Sequence, residues 1–226
     1  MSKGKLEAVI WDMDGVIADT REYHFQAWKE EFAKKGVLYT EEHFLRFFGQ
    51  RNDTIIKDAL GENTSPEELT AINIAKQANF RHRAIGHIQP LPGAVELIKS
   101  LHKHDIKQAI ASSATPENIE VITQTLGIKT CFGAIAFGNE VPEGKPSPQI
   151  YLLAAKKIGV KPANCIVFED AIAGVAGAKS AGMKCIAVTN THPEEKLKQA
   201  DLVVETLNDV SIDVLTILFQ QSQTKK

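Results

Sequence analysis

Cysteine is scarce in this chain: Cys131, Cys165 and Cys185 are the three among 226 residues, and no two are spaced as C-x-x-C. Each sits in or beside an apolar segment, which points to buried free thiols in a reducing cytoplasm rather than to a disulfide framework. Long hydrophobic runs are missing as well. No apolar stretch approaches the roughly 20 residues that a membrane helix needs, and MSKGKLEAVIWD meets an acid after too short a run for a signal peptide. Nor is there an excess of one charge: the formal net charge is -2, which argues against a polyanion partner such as nucleic acid. His43, His82, His87, His102, His104 and His192 show no metal-ligand spacing and read as surface or linker residues. The expectation is a cytoplasmic monomer that engages neither membrane nor nucleic acid.

What is present is an ordinary globular composition, 43% hydrophobic and 24% charged, in a length that admits one large domain or a domain with a sizeable insertion. From residue 90 onward strand and helix signals alternate. IKQAIASS, AIAF, NCIVFED, KCIAVT and DLVVE read as strands. PGAVELIKSLHKH, PENIEVITQTLGI, PSPQIYLLAAKKIGV, GVAGAKSAGM and LNDVSIDVLTILFQQ read as helices, ahead of a polar tail, QSQTKK. With VIW (9–11) as the first strand, this alternation predicts parallel βαβ units and a doubly wound α/β sheet. Residues 20 to about 88 break the rhythm with four helical segments and no convincing strand. The expected organisation is an α/β core over 1–18 and 89–226 with an all-helical cap inserted over 19–88. Phe25, Trp28 and Phe32 share one helical face and read as the cap's own core.

In an open parallel sheet, ligands bind beyond the carboxyl ends of the strands. The first strand ends in Asp12 and Asp14, the second in Ser112 and Ser113, and NCIVF in Glu169 and Asp170; the loop GNEVPEGKPSP after AIAF carries Lys145. Parallel strands would gather these groups on one edge. Singly, Ser112, Ser113 and Asp170 could be helix N-caps and Lys145 a solvated surface lysine. Jointly they describe a site. Four close carboxylates repel one another and call for a divalent cation or for raised pKa values. With only oxygen ligands nearby, Mg2+ suits best, and a cation, a lysine and hydroxyls together suit a phosphoryl group that one carboxylate attacks.

DMDGV (12–16), Ser112, GKPSPQIY (144–151) and FEDAIAGVAGAKSAGM (168–183) resemble, in order, the four motifs of the haloacid dehalogenase superfamily of phosphotransferases. The resemblance implies Asp12 as nucleophile and metal ligand, and Asp14 as general acid/base that ligates metal through its carbonyl. It implies Ser112, Ser113 and Lys145 as holders of the phosphoryl oxygens, Asp170 as a metal ligand, and Glu169 as a ligand or a carboxylate behind one. Dehalogenating members lack the second acid and the metal, so Asp14 and the Glu169–Asp170 pair argue against that chemistry. DTREYHFQAWK (19–29) is similar to the β-phosphoglucomutase group and related sugar-phosphate phosphatases, which places His24 at the hinge. FFGQRND (47–53) sits where the mutases carry an arginine for a distal phosphate; Arg51 is one position early and Asn52 takes its place. NFRHRA (79–84) is basic where the mutases have a lysine-bearing segment, but the lysine is unmatched, and Arg81 and Arg83 are weaker candidates for substrate contact. The implied activity is Mg2+-dependent hydrolysis of a small phosphorylated substrate, a sugar phosphate, through an aspartyl-phosphate. β-Phosphoglucomutase is the alternative, and a non-catalytic phosphate-binding protein a more distant one.

Overall fold

The computed structural model describes residues 5–221; the first four residues and the end of the expected polar tail lie outside them. The strands are β1 (Ala8–Trp11), β2 (Lys107–Ser112), β3 (Ala134–Phe137), β4 (Cys165–Glu169), β5 (Lys184–Val188) and β6 (Leu202–Val204). They form one sheet in the order β3-β2-β1-β4-β5-β6, every pair parallel. Four helices, α1 (Arg21–Ala33), α2 (Glu41–Phe47), α3 (Asn52–Leu60) and α4 (Pro66–Ala84), separate β1 from the rest. The remaining helices are α5 (Ala94–Lys103), α6 (Pro116–Thr125), α7 (Gln149–Lys157), α8 (Ile172–Ser180), α9 (Glu194–Leu197) and α10 (Ile212–Gln221).

The sheet is buried on both faces because successive strand residues point to opposite sides and here both sets are apolar. Val9, Trp11, Ile110 and Phe168 pack against α5, α6 and α10, while Ala8, Ile10, Ala109 and Val167 pack against α7 and α8. Trp11 stacks on Phe168 across the β1–β4 pair, with ring centroids 4.4 Å apart. Its indole N–H donates to Gln108 in the adjacent strand at 3.0 Å, satisfying a buried donor. The three cysteines are buried free thiols.

The helical insertion carries a separate apolar cluster of Trp28, Phe32, Tyr39, Phe44, Phe48, Ile55, Ile56 and Ile72. Phe25 lies against its edge. The segments joining insertion to sheet run side by side: Asp19 N donates to Gln89 O and Leu91 N to Ile17 O, each at 3.0 Å. No helix among the described residues is long and apolar enough to cross a membrane.

Candidate active site

Strand order reverses around β1: the chain builds β2 and β3 on one side of it, then β4 to β6 on the other. A crevice opens at the carboxyl ends of strands at such a switch point. Asp12 lies there, 3% exposed, as the first residue past β1. Three residues on, Gly15 takes φ +85°, turning the chain back so that its N–H reaches Ala18 O at 2.9 Å. A Cβ at Gly15 would overlap the Asp170 carboxylate, so both the turn and the approach require glycine.

Lys145 is not a surface lysine. Its buried ammonium donates to Asp12 Oδ1 at 2.5 Å and to Glu169 Oε1 at 2.6 Å. Glu169 Oε1 also accepts from the Tyr151 hydroxyl at 2.6 Å, and Oε2 accepts from the amides of Asp170 and Ala171 at 2.9 and 3.0 Å. All its lone-pair sites are filled. Burial would strip the Lys145 proton, but the two carboxylates outweigh it and raise its pKa, so the ammonium stays charged.

Asp12, Glu169 and Asp170 offer carboxylate oxygens within 4.8 Å of one another. Burial pushes the Asp12 carboxyl up to about 8, Lys145 opposing and Glu169 and Asp14 adding to the rise. Burial and the charges of Glu169 and Asp12 likewise drive Asp170 well above the usual carboxylate range. Such shifts mark a shortage of positive charge. Asp170 Oδ1 is buried with no hydrogen-bond partner among the described residues, while Oδ2 accepts from the Thr191 hydroxyl. A cluster of hard oxygens with one buried acceptor left open fits a hard divalent cation. Asp12 and Asp170 are the members free to hold one, since Glu169 is committed to Lys145, Tyr151 and the chain itself.

Asp14 has different company. Its Oδ1 accepts from the Thr20 hydroxyl at 2.6 Å and from His24 Nε2 at 3.1 Å. Thr20 precedes α1 but leaves that helix uncapped to make this bond. Burial would raise the Asp14 pKa, yet the His24 and Thr20 bonds outweigh it and hold the carboxyl below its ordinary value. Lys76 Nζ lies 2.7 Å from the other imidazole nitrogen, Nδ1. Burial and Lys76 both depress the His24 pKa, so the imidazole is neutral, donating from Nε2 and accepting at Nδ1. The Phe80 ring stacks on it at 4.0 Å.

The helix-cap alternatives do not hold at these positions. Thr115 caps α6, accepting from Asn118 N, and Ala171 precedes α8 without a side-chain cap. Ser112 Oγ accepts from Ala114 N at 3.1 Å, which leaves its hydroxyl hydrogen uncommitted. Ser113 instead donates to Gly49 O of the insertion at 2.8 Å. Asp12, Asp14, His24, Asn52, Lys76, Ser112 and Ser113 line a cavity of about 40 Å³ that Trp28 and Phe48 close on the insertion side.

Arg51 does not line that cavity. Its guanidinium donates to Asp53 at 3.1 and 2.8 Å and to the carbonyls of Val141 and Pro142 at 2.9 and 3.3 Å. Arg81 reaches Asn118 at 3.2 Å and Arg83 reaches Glu30 at 2.6 Å, so neither faces the cavity. Within 79–84 there is no lysine, but Lys76, one helical turn earlier on α4 and 1% exposed, lines the cavity. A lysine in a charged helix carries no sequence signal that sets it apart from a solvated one. His192 is buried rather than exposed, since the 189–193 loop folds onto the sheet edge where its neighbour Thr191 meets Asp170.

The chain matches the haloacid dehalogenase-like hydrolase family over residues 6–182. It is 32% identical to the β-phosphoglucomutase of Bacillus subtilis over 228 residues, 98% of this chain and 99% of that one. It is 31% identical to the fructose-1-phosphate phosphatase of Escherichia coli over 180 residues, covering 80% and 95%. The structure of a β-phosphoglucomutase from Clostridium difficile superposes with a TM-score of 0.89 at 30% identity, covering 96% and 99%. A longer relative from Arabidopsis thaliana is spanned over only 21% of its length. The match over residues 6–182 and the near full-length likeness to β-phosphoglucomutases place this chain in the haloacid dehalogenase-like hydrolase family, as an enzyme of the phosphatase and phosphoglucomutase type.

Proposed function

We propose that this protein is a Mg2+-dependent phosphomonoester hydrolase acting on a small sugar phosphate through a phosphorylated Asp12. The observation that carries this reading is the division between Asp12 and Asp14. They stand two residues apart, yet one is held by an ammonium and the other by a hydroxyl and an imidazole. An acid paired with a cation beside an acid held by a hydroxyl and an imidazole suits a nucleophile and a proton carrier.

A Mg2+ ion held by Asp12 and Asp170 would neutralise charge on the phosphoryl oxygens and lower the Asp12 pKa. Lys145 supplies a second positive charge to the nucleophile, and the free hydroxyl hydrogen of Ser112 can donate to a phosphoryl oxygen. Asp12 attacks phosphorus, the bond to the ester oxygen breaks, and Asp14, which takes up a proton as the anionic substrate settles beside it, gives that oxygen the proton. Asp14 then takes a proton from the attacking water as the aspartyl-phosphate is cleaved. His24 and Thr20 hold Asp14 in place for both transfers. The helical insertion acts as a cap, tied to the core through Ser113 and Arg51, and excludes bulk water.

Transfer back to a sugar hydroxyl rather than to water would make the enzyme a β-phosphoglucomutase, a reading favoured by the near full-length likeness to two such enzymes. Phosphate release from a panel of sugar phosphates, measured beside conversion of β-glucose 1-phosphate to glucose 6-phosphate primed with the bisphosphate, separates the two. Hydrolysis with little isomerisation is expected. Efficient isomerisation with negligible phosphate release would falsify the hydrolase assignment.

A further inference from the structure

A second cavity, of about 240 Å³, continues from the first between cap and core. The two share Asn52, Ser113 and Ala114 in their walls, so a ligand with its phosphoryl group at Asp12 extends into the larger space. Its polar lining is amide and hydroxyl: Asn52 and Asn73 on the cap, Thr115 and Asn139 on the core, with Thr70 at the rim. Arg51 and Asp53 are its charged residues, and they are bonded to each other through two N–H groups. Arg51 Nη1 donates to the carbonyls of Val141 and Pro142, so four of the five guanidinium N–H groups are engaged. Gly144 permits this seating, because a Cβ there would lie 2.6 Å from Arg51 Cδ. Lys76, the other cap cation near the site, faces the smaller cavity and His24.

We propose that this larger cavity is a charge-neutral subsite for the uncharged, polyhydroxylated part of a sugar monophosphate, and that it discriminates against sugar bisphosphates. The inference rests on the phosphomonoesterase reading above and narrows its substrate class. Amides and hydroxyls both donate and accept, which matches sugar hydroxyls. A second phosphate placed there would lose its hydration, meet the Asp53 carboxylate and find no uncommitted cation. Desolvating a charge without a partner is costly.

The test compares matched pairs in saturating Mg2+: glucose 1-phosphate against glucose 1,6-bisphosphate, and fructose 1-phosphate against fructose 1,6-bisphosphate. The bisphosphate is expected to show kcat/KM lower by about tenfold or more, mostly in KM. Thr70→Lys adds a cation at the exposed rim and should raise the ratio of bisphosphate to monophosphate kcat/KM by about fivefold. The same ranking is read as Kd on Asp12→Asn protein, which cannot form the phosphoenzyme. If the wild type hydrolyses neither ester, the hydrolase reading fails while the binding ranks still decide the subsite. Bisphosphate bound or turned over as well as the monophosphate overturns the proposal.

Discussion

Gly174 lies directly against Glu169: a Cβ at Gly174 would overlap the carboxylate. In a helix, glycine to alanine ordinarily gains about 0.5–1 kcal/mol from backbone entropy. Here the added methyl must displace the group that holds Lys145 and Tyr151. Gly174→Ala is therefore expected to cost about 1–3 kcal/mol by overpacking and to lower kcat on the order of a hundredfold through misplacement of Lys145. Denaturant unfolding and steady-state kinetics check both, and a stabilised, fully active variant would refute the account.

Thr191 uses its hydroxyl on one oxygen of Asp170 and leaves the other open. Mg2+ binds the folded state alone in this account, so it should raise the melting temperature, and EDTA should reverse the rise. Thr191→Val should weaken Mg2+ binding by about 10–100-fold, read by calorimetry on metal-free protein, while Thr191→Ser retains it. Equal affinity in the valine variant would show that the hydroxyl does not orient Asp170.

Lys76 pairs a functional position with a stability cost. Burial lowers its pKa from 10.5 to about 7, although Trp28 and Phe80 present ring faces at 4.9 and 5.5 Å. Below about pH 7 both folded and unfolded chains carry the proton and the penalty is complete. Between there and the unfolded value of 10.5 the unfolded chain binds more protons, so stability rises with pH. Lys76→Met should thus stabilise the protein on the order of 3 kcal/mol at pH 6, with the advantage shrinking by pH 10. A melting-temperature difference that stays constant over that range would contradict the burial argument. Activity should fall in the same variant, because His24 loses its partner.

Ser112 and Thr115 stand three residues apart and separate chemistry from capping. Thr115→Ala should cost about 1 kcal/mol of stability, the usual value for a lost cap, and because Thr115 also lines the larger cavity its kinetic effect should fall on KM rather than kcat. Ser112→Ala should do the reverse, cutting kcat by about tenfold or more with the loss of a donor to the phosphoryl group, at small cost in stability. Thermal melts and kinetics on the two variants give the contrast, and matching effects would erase the distinction.

The sheet, its all-parallel direction and the set of groups at its edge were legible in the amino-acid pattern alone. Those features follow from local rules: apolar runs alternating with helical periods, and polar residues placed where strands end. Asp12, Glu169 and Asp170 were legible because the strand ends that carry them must converge wherever the loops go, whereas Lys145, out on a loop, was legible through the GKPSPQIY motif. Only the tertiary structure decided which oxygen of which acid stays open, because that depends on Thr191, Tyr151 and Gly174, brought in from separate elements. It also decided that Lys76 faces the site while Arg51 is bound to Asp53 and two carbonyls. Long charged side chains carry no local pattern that fixes where their ends lie; packing of cap against core sets that, through contacts between residues far apart in the chain.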